Sequence, residues 1–286
     1  MNQPVIDICE AYRKGRLDRR EFLERLAKMA GGAAAAAAFL SLPAEGRSPS
    51  EDRVAEDDPR LIVEDITYPA EDGEMKAHFA RPKGGDKLPG VIVIHENRGL
   101  VPHIRDVTRR MALAGFVALG PDALSPLGGT PDDADKGRTM MRELDSAQTV
   151  RRFVAAVEYL KTHPQTTGKV GCTGFCWGGG ITNQVAVRAP DLNAAVPFYG
   201  RTPDSDDVPR IKAALLCHYA SLDERINAGI PAFEEALKAA GLEYTFHMYE
   251  GAAHAFFNDT GSRYHEEAAE LAWKRTIAFF TEKLKT

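Results

Sequence analysis

Hydrophobic and polar positions alternate along Leu61 to Tyr68 and again along Met75 to Ala80, with the turn-forming Glu71-Asp72-Gly73 between them. This is the pattern of two strands opening the fold as a hairpin. The next apolar segment, Val91-Ile92-Val93-Ile94, is a continuous β-branched run, which marks a strand covered on both faces. Helical spacing follows over Ile104 to Ala114, then a strand over Phe116 to Leu119 that Pro121-Asp122 ends. The rhythm continues with a helix over Ser146 to Lys161, a strand over Lys169 to Thr173, a helix over Trp177 to Val187 and a strand over Ala194 to Phe198. A strand over Ala213 to Tyr219, a helix over Pro231 to Ala240, a strand over Tyr244 to Tyr249 and a last helix over Glu266 to Lys283 complete it.

Strands alternating with helices after a short antiparallel start predict an α/β fold: a mostly parallel, doubly wound sheet with helices on both faces and an antiparallel N-terminal hairpin. The longest irregular stretch, Ala123 to Lys136, has the Gly, Pro and Asp content of a mobile loop beside a site.

The first 44 residues do not fit this pattern. Asp18-Arg19-Arg20-Glu21-Phe22-Leu23 precedes Gly31-Gly32, the alanines Ala33 to Ala38 and a short apolar run ending near Ala44. Paired arginines, an aromatic, a leucine and a modest apolar region in that order resemble a twin-arginine export signal, an address read by the export machinery rather than a membrane anchor. The run is too short for a bilayer span, which takes about 20 residues. The expectation is a signal over 1–44, a flexible linker over 45–59 and one α/β domain over 60–286. The protein would then be periplasmic or otherwise exported, and cytoplasmic if the signal does not work.

Composition narrows the function. Of 286 residues, 36 are Lys or Arg and 41 are Asp or Glu, giving a net charge of −5, so no basic excess exists to bind nucleic acid or anionic lipid. The four cysteines, Cys9, Cys172, Cys176 and Cys217, show no Cys-x-x-Cys or Cys/His spacing for structural zinc. Neither Gly-rich nucleotide motif is present, and no metal or cofactor is expected. Cys217 reads as a buried structural thiol, Phe279 and Phe280 as core, and Cys172 with Cys176 as an awkward pair for a disulfide.

The sharpest chemical signal is Gly174-Phe175-Cys176-Trp177-Gly178, between a predicted strand and a predicted helix. A nucleophile on such a turn adopts a strained backbone, and glycines two positions to either side let neighbouring chain pass close by. The helix N-terminus also favours a thiolate at Cys176. Asp223 and His254 each follow a later strand, so nucleophile, acid and histidine come in the α/β-hydrolase order at the strand ends where such sheets place ligands. Taken alone, Asp223 is compatible with a helix cap and His254 with a surface histidine. Glu96 follows the strand Val91 to Ile94, in a loop that in this fold also gives a backbone amide to the oxyanion hole.

From Leu61 to Leu284 the chain resembles the dienelactone hydrolase, or carboxymethylenebutenolidase, family of α/β-hydrolases. The resemblance implies Cys176 as nucleophile, Asp223 orienting His254, His254 as general base and then acid, and Glu96 as the carboxylate that partners the resting thiol. The backbone amides of Asn97 and Trp177 would form the oxyanion hole. Two arginines with which such enzymes grip a substrate carboxylate have no counterpart in Pro121-Asp122-Ala123-Leu124-Ser125-Pro126 or in Phe256-Phe257-Asn258-Asp259. Arg98, Arg138 and Phe256 are the substrate-binding candidates in their place.

The expected activity is hydrolysis of a small ester or lactone through an acyl-enzyme on Cys176. The alternative is an exported, non-catalytic small-molecule-binding protein on the same fold, with Trp177, Phe256 and Phe257 lining its pocket.

Overall fold

The structure is a computed structural model that describes residues 54–285. The expected export signal lies outside the described residues. The expected linker lies partly inside them, and its Val54 is fixed rather than free. The Val54 side chain is buried, its amide donates to Asp106 Oδ1 at 2.7 Å, and its carbonyl accepts from Arg109 Nε at 2.7 Å.

Eight strands form one sheet: β1 (Leu61–Ala70), β2 (Gly73–Pro82), β3 (Leu88–Ile94), β4 (Val117–Pro121), β5 (Thr166–Phe175), β6 (Ala194–Phe198), β7 (Ala214–Ala220) and β8 (Tyr244–Tyr249). Their spatial order is β1-β2-β4-β3-β5-β6-β7-β8. The β1–β2 hairpin is antiparallel and β2 meets β4 antiparallel; all remaining pairs are parallel. The alternation in the first two strands and the continuous apolar runs in the rest follow from this. Hairpin strands face water on one side, whereas β3 sends Ile92 and Ile94 to one core and Val91 and Val93 to the other.

The helices are α1 (Pro102–Leu113), α2 (Ala134–Met141), α3 (Ser146–Thr162), α4 (Trp177–Arg188), the short α5 (Glu224–Asn227), α6 (Ile230–Ala239) and α7 (Glu266–Leu284). Phe153, Val157 and Leu160 of α3, Val185 of α4 and Phe233 and Leu237 of α6 fill one core. Ile104, Val107 and Met111 of α1 and Ala272 and Phe280 of α7 fill the other. Full burial of such side chains stabilises the fold by about 1.5–3 kcal/mol each.

The stretch Ala123 to Lys136, expected as a loop, contains a 3₁₀ turn over Ser125–Leu127 and the start of α2. Asp133 caps α2 by accepting from the amides of Asp135 at 2.8 Å and Lys136 at 3.2 Å. Buried Asp122 ties the segment down by accepting from the Thr130 amide and hydroxyl at 2.7 and 2.8 Å, and Thr130 Oγ1 in turn accepts from the Leu100 amide at 2.7 Å. A Cβ on Gly137 would stand 2.6 Å from the Arg98 carbonyl oxygen. That close approach seats α2 on the loop after β3 and carries Arg138 to the site.

Candidate active site

Cys176 occupies the bend between β5 and α4 with φ 58° and ψ −113°, a left-handed backbone that costs a non-glycine residue about 1–3 kcal/mol. Its glycines explain how the bend closes. A Cβ on Gly174 would come within 2.3 Å of the Gly178 carbonyl oxygen, and one on Gly178 within 2.4 Å of the His95 carbonyl oxygen. The start of α4 therefore lies against the end of β3, which places the Glu96 loop beside the thiol. Among the described residues only Cys176, Tyr199 and Ala255 are non-glycines at positive φ. Tyr199 packs its ring 5.1 Å from that of His254, and Ala255 follows His254 in the chain, so the strained backbone gathers around one point.

His254 Nε2 stands 3.0 Å from Cys176 Sγ, and His254 Nδ1 hydrogen-bonds Asp223 Oδ2. Asp223 sits at the cap position of α5, yet its side chain makes no capping bond; it serves the imidazole instead. Parallel β3, β5, β7 and β8 bring Glu96, Cys176, Asp223 and His254 to the same end of the sheet. Cys172 and Cys217 are free and fully buried, with burial pushing each thiol up to about 12. Cys172 donates to Thr182 Oγ1 at 3.7 Å, and its sulfur is not joined to that of Cys176.

The Cys176 thiol differs from the thiolate expected at a helix start. Burial first, then the Glu96 charge, push it from the usual 9.0 up to about 11, with Asp223 acting in the same direction. The backbone at Trp177 and the Arg225 charge oppose this without prevailing. A thiol held that high is protonated at neutral pH, and His254 Nε2, 3.0 Å away, is the side chain placed to accept its proton. Asn97 borders the same cavity as the sulfur. Glu96 shares the cavity too, but its hydrogen bond comes from Asn258 Nδ2, at 2.7 Å on Oε2.

The cavity has a volume of about 350 Å³ and is lined by Glu96, Asn97, Arg98, Arg138, Cys176, His254, Ala255, Asn258, Gly261, Ser262 and Arg263. Two of the three substrate-binding candidates, Arg98 and Arg138, are brought there. Phe256 is not: it is fully buried, with its ring centroid 5.3 Å from that of Tyr199 and 5.0 Å from that of Tyr249. Phe257 is likewise buried, and Trp177 stacks on His95 and meets Phe153 edge-on, so no aromatic wall faces the cavity. The sequence reading missed Arg263 and Asn258. Both lie within nine residues of His254, and an arginine so near a candidate base was the one available signal for Arg263.

The loop carrying His254 and Asn258 is moored to α1. Asp259 Oδ2 accepts from Arg110 at 2.5 Å and Asp259 Oδ1 lies 3.0 Å from His103 Nδ1, while Arg110 also reaches Asp106 Oδ2 at 2.5 Å. Burial works against the Asp259 carboxylate, but hydrogen bonds from His103 and Arg110 outweigh it and hold its carboxyl well below the usual range.

Comparison with known proteins places this geometry. Residues 75–284 match the model of the Dienelactone hydrolase family. A protein of Methylorubrum extorquens named "Putative carboxymethylenebutenolidase" is 34% identical over 244 residues, covering 80% of this chain and 84% of its own. "Protein usf" of Aquifex pyrophilus is 36% identical over 220 residues, covering 74% of this chain and 94% of its own. A crystal structure described as a "Putative Dienelactone Hydrolase" from Klebsiella pneumoniae superposes with a TM-score of 0.70 at 32% identity, covering 78% of this chain and 99% of that one. Together with the strand order and the elbow, these matches show that the chain belongs to the dienelactone hydrolase family.

Proposed function

We propose that this carboxylic ester or lactone hydrolase works through a thioester on Cys176 and takes a small substrate that carries negative charge. The observation that supports the mechanism most directly is the 3.0 Å approach of His254 Nε2 to Cys176 Sγ, with Asp223 on the other imidazole nitrogen. In acylation His254 takes the thiol proton, sulfur bonds to the carbonyl carbon, and the developing oxyanion is met by backbone amides at Trp177 and Asn97. The C–O bond to the leaving group then breaks and His254 returns its proton to the departing oxygen. In deacylation His254 takes a proton from water, hydroxide adds to the thioester, the C–S bond breaks and the proton returns to sulfur.

The substrate class is supported by the lining. Three arginines, Arg98, Arg138 and Arg263, line the cavity together with Cys176, against one carboxylate residue, Glu96. Ala255 is the one apolar side chain besides Cys176 itself, so a long acyl chain or a bare aryl group finds little to pack on. Trp177, Phe256 and Phe257, the aromatics expected to line the pocket of a non-catalytic binder, are not among the lining residues.

The test is to quench a reaction with an activated ester in acid and map the acyl adduct by mass spectrometry. An adduct on Cys176, absent together with turnover in Cys176→Ala, supports the reading. Turnover that survives Cys176→Ala, or an adduct on another residue, overturns it.

A further inference from the structure

The peptide that joins Glu96 to Asn97 is held by the side chain that precedes it. His95 is fully buried, and each of its ring nitrogens meets one backbone group. The Ala123 amide, which can only donate, lies 3.1 Å from Nε2, so that nitrogen accepts. The ring proton therefore sits on Nδ1, which donates to the Glu96 carbonyl at 2.6 Å. Both partners demand this neutral tautomer, and burial pushes the ring's pKa down in the same sense. In a trans peptide the carbonyl and the following N–H point to opposite sides of the bond. With the Glu96 carbonyl fixed on the ring, the Asn97 N–H leaves on the side away from His95. Asn97 borders the cavity with Cys176, and among the described residues no acceptor is bonded to its amide. The flat of the same imidazole stacks on Trp177, with centroids 5.3 Å apart and planes 13° from parallel.

We propose that His95 is a positioning residue for the oxyanion: by holding the Glu96–Asn97 peptide through Nδ1 and lying flat against Trp177, it aims the Asn97 amide into the cavity. The inference deepens, and rests on, the reading of Cys176 as nucleophile with the Asn97 and Trp177 amides meeting the oxyanion. Such donors speed the reaction because they are in place before negative charge develops. Asn97 and Arg98 form an exposed turn, so the peptide before them needs an outside partner to keep its orientation. A free peptide can turn its carbonyl to the cavity as readily as its N–H, and a carbonyl oxygen there repels the oxyanion it should stabilise. The ring is itself anchored at the end of β4. Ala123 follows Asp122, whose carboxylate accepts from the amides of Leu124 at 2.9 Å and Thr130 at 2.7 Å.

The experiment compares wild type with His95→Asn, His95→Gln and His95→Phe. It reads kcat and KM for one ester, and the rate of Cys176 alkylation by iodoacetamide with Cys176→Ala as the control for labelling elsewhere. An asparagine amide nitrogen overlies imidazole Nδ1, a glutamine amide overlies Nε2, and phenylalanine keeps the ring while losing both bonds. In alkylation the thiol proton passes to base, sulfur bonds to a saturated carbon and iodide leaves, so the thiol and His254 are used and no oxyanion forms. His95→Gln and His95→Phe are expected to lower kcat about a hundredfold with little change in KM, the order of effect of losing one oxyanion donor. His95→Asn recovers kcat about tenfold over His95→Gln, and alkylation keeps its wild-type rate in all three. A kcat in His95→Asn no higher than in His95→Gln overturns the role, because the Nδ1 donor then does not matter. Alkylation that falls together with kcat also overturns it, since the loss then lies in the thiol or its base. Should His95→Phe fail to fold, the Asn and Gln pair decides. Failure of the Cys176 reading shows separately, as an adduct on another residue or turnover in Cys176→Ala, whereas a failed role for His95 leaves the adduct on Cys176.

Discussion

His254 Nε2 and Cys176 Sγ meet at 3.0 Å across 78 residues of chain, and the meeting is made by the parallel order of β5, β7 and β8 rather than by any local turn. One nitrogen faces a protonated sulfur while the other is held by Asp223. Under the proposed mechanism the pair loses its proton as the new bond forms instead of storing a ready thiolate, and its pH behaviour follows from that.

Alkylation of Cys176 is expected to rise about tenfold per pH unit from pH 7 to 10 without levelling off, because the thiol is pushed up to about 11. A plateau below pH 9 in the rate of iodoacetamide labelling would contradict the protonated resting state.

The buried thiols also affect stability. Cys172, Cys176 and Cys217 are raised from 9.0 to about 12, 11 and 12, so the folded chain binds more protons than the unfolded one above pH 9. Their stabilising contribution is complete below pH 9 and is lost as pH rises through 11 to 12. Thermal melts should show Tm falling over that window, and Cys217→Ala should flatten the slope even while lowering Tm elsewhere.

Arg98→Ala, Arg138→Ala and Arg263→Ala should each raise KM for a carboxylate-bearing ester by about tenfold, the effect of about 1.4 kcal/mol of lost binding, and change KM for its uncharged amide or methyl-ester analogue little. Steady-state kinetics on such a matched pair of substrates decides the matter. An equal effect on both would remove charge recognition from the role of the arginines.

Asp259→Asn should destabilise the fold by about 3 kcal/mol, since it leaves half-buried Arg110 and buried His103 facing an uncharged amide. Denaturant titration reads the loss. Because the same loop carries His254, kcat should fall in the fraction that stays folded, and unchanged kcat would show that the mooring serves stability alone.

Arg19→Lys together with Arg20→Lys should retain the chain in the cytoplasm of a host that exports the wild type, as read by cell fractionation. Export of the double variant at the wild-type level would remove the twin-arginine reading.

Much of this site was legible before any coordinates because its parts are local. The Gly174 and Gly178 spacing marks a bend that only a backbone without Cβ can close, and the order of Cys176, Asp223 and His254 follows strand order. The lining was not legible. Arg98, Arg138 and Arg263 come from the loop after β3, from α2 and from the loop after β8, and nothing in one segment signals its distance to another. Phe256 misled because an aromatic two residues after a histidine reads the same whether it packs inward or faces a ligand; here burial against Tyr199 and Tyr249 decided it. The helix α2 was hidden by the Pro131-Asp132-Asp133 run, whose last member turned out to be its cap.

The anchoring of Val54 sets how far the chain can be shortened before α1 is disturbed. Trimming the chain through this valine would strand Asp106 and Arg109 on α1 without the backbone groups that bond to them. Asp106 shares Arg110 with Asp259, so such a cut would also reach the loop that carries His254.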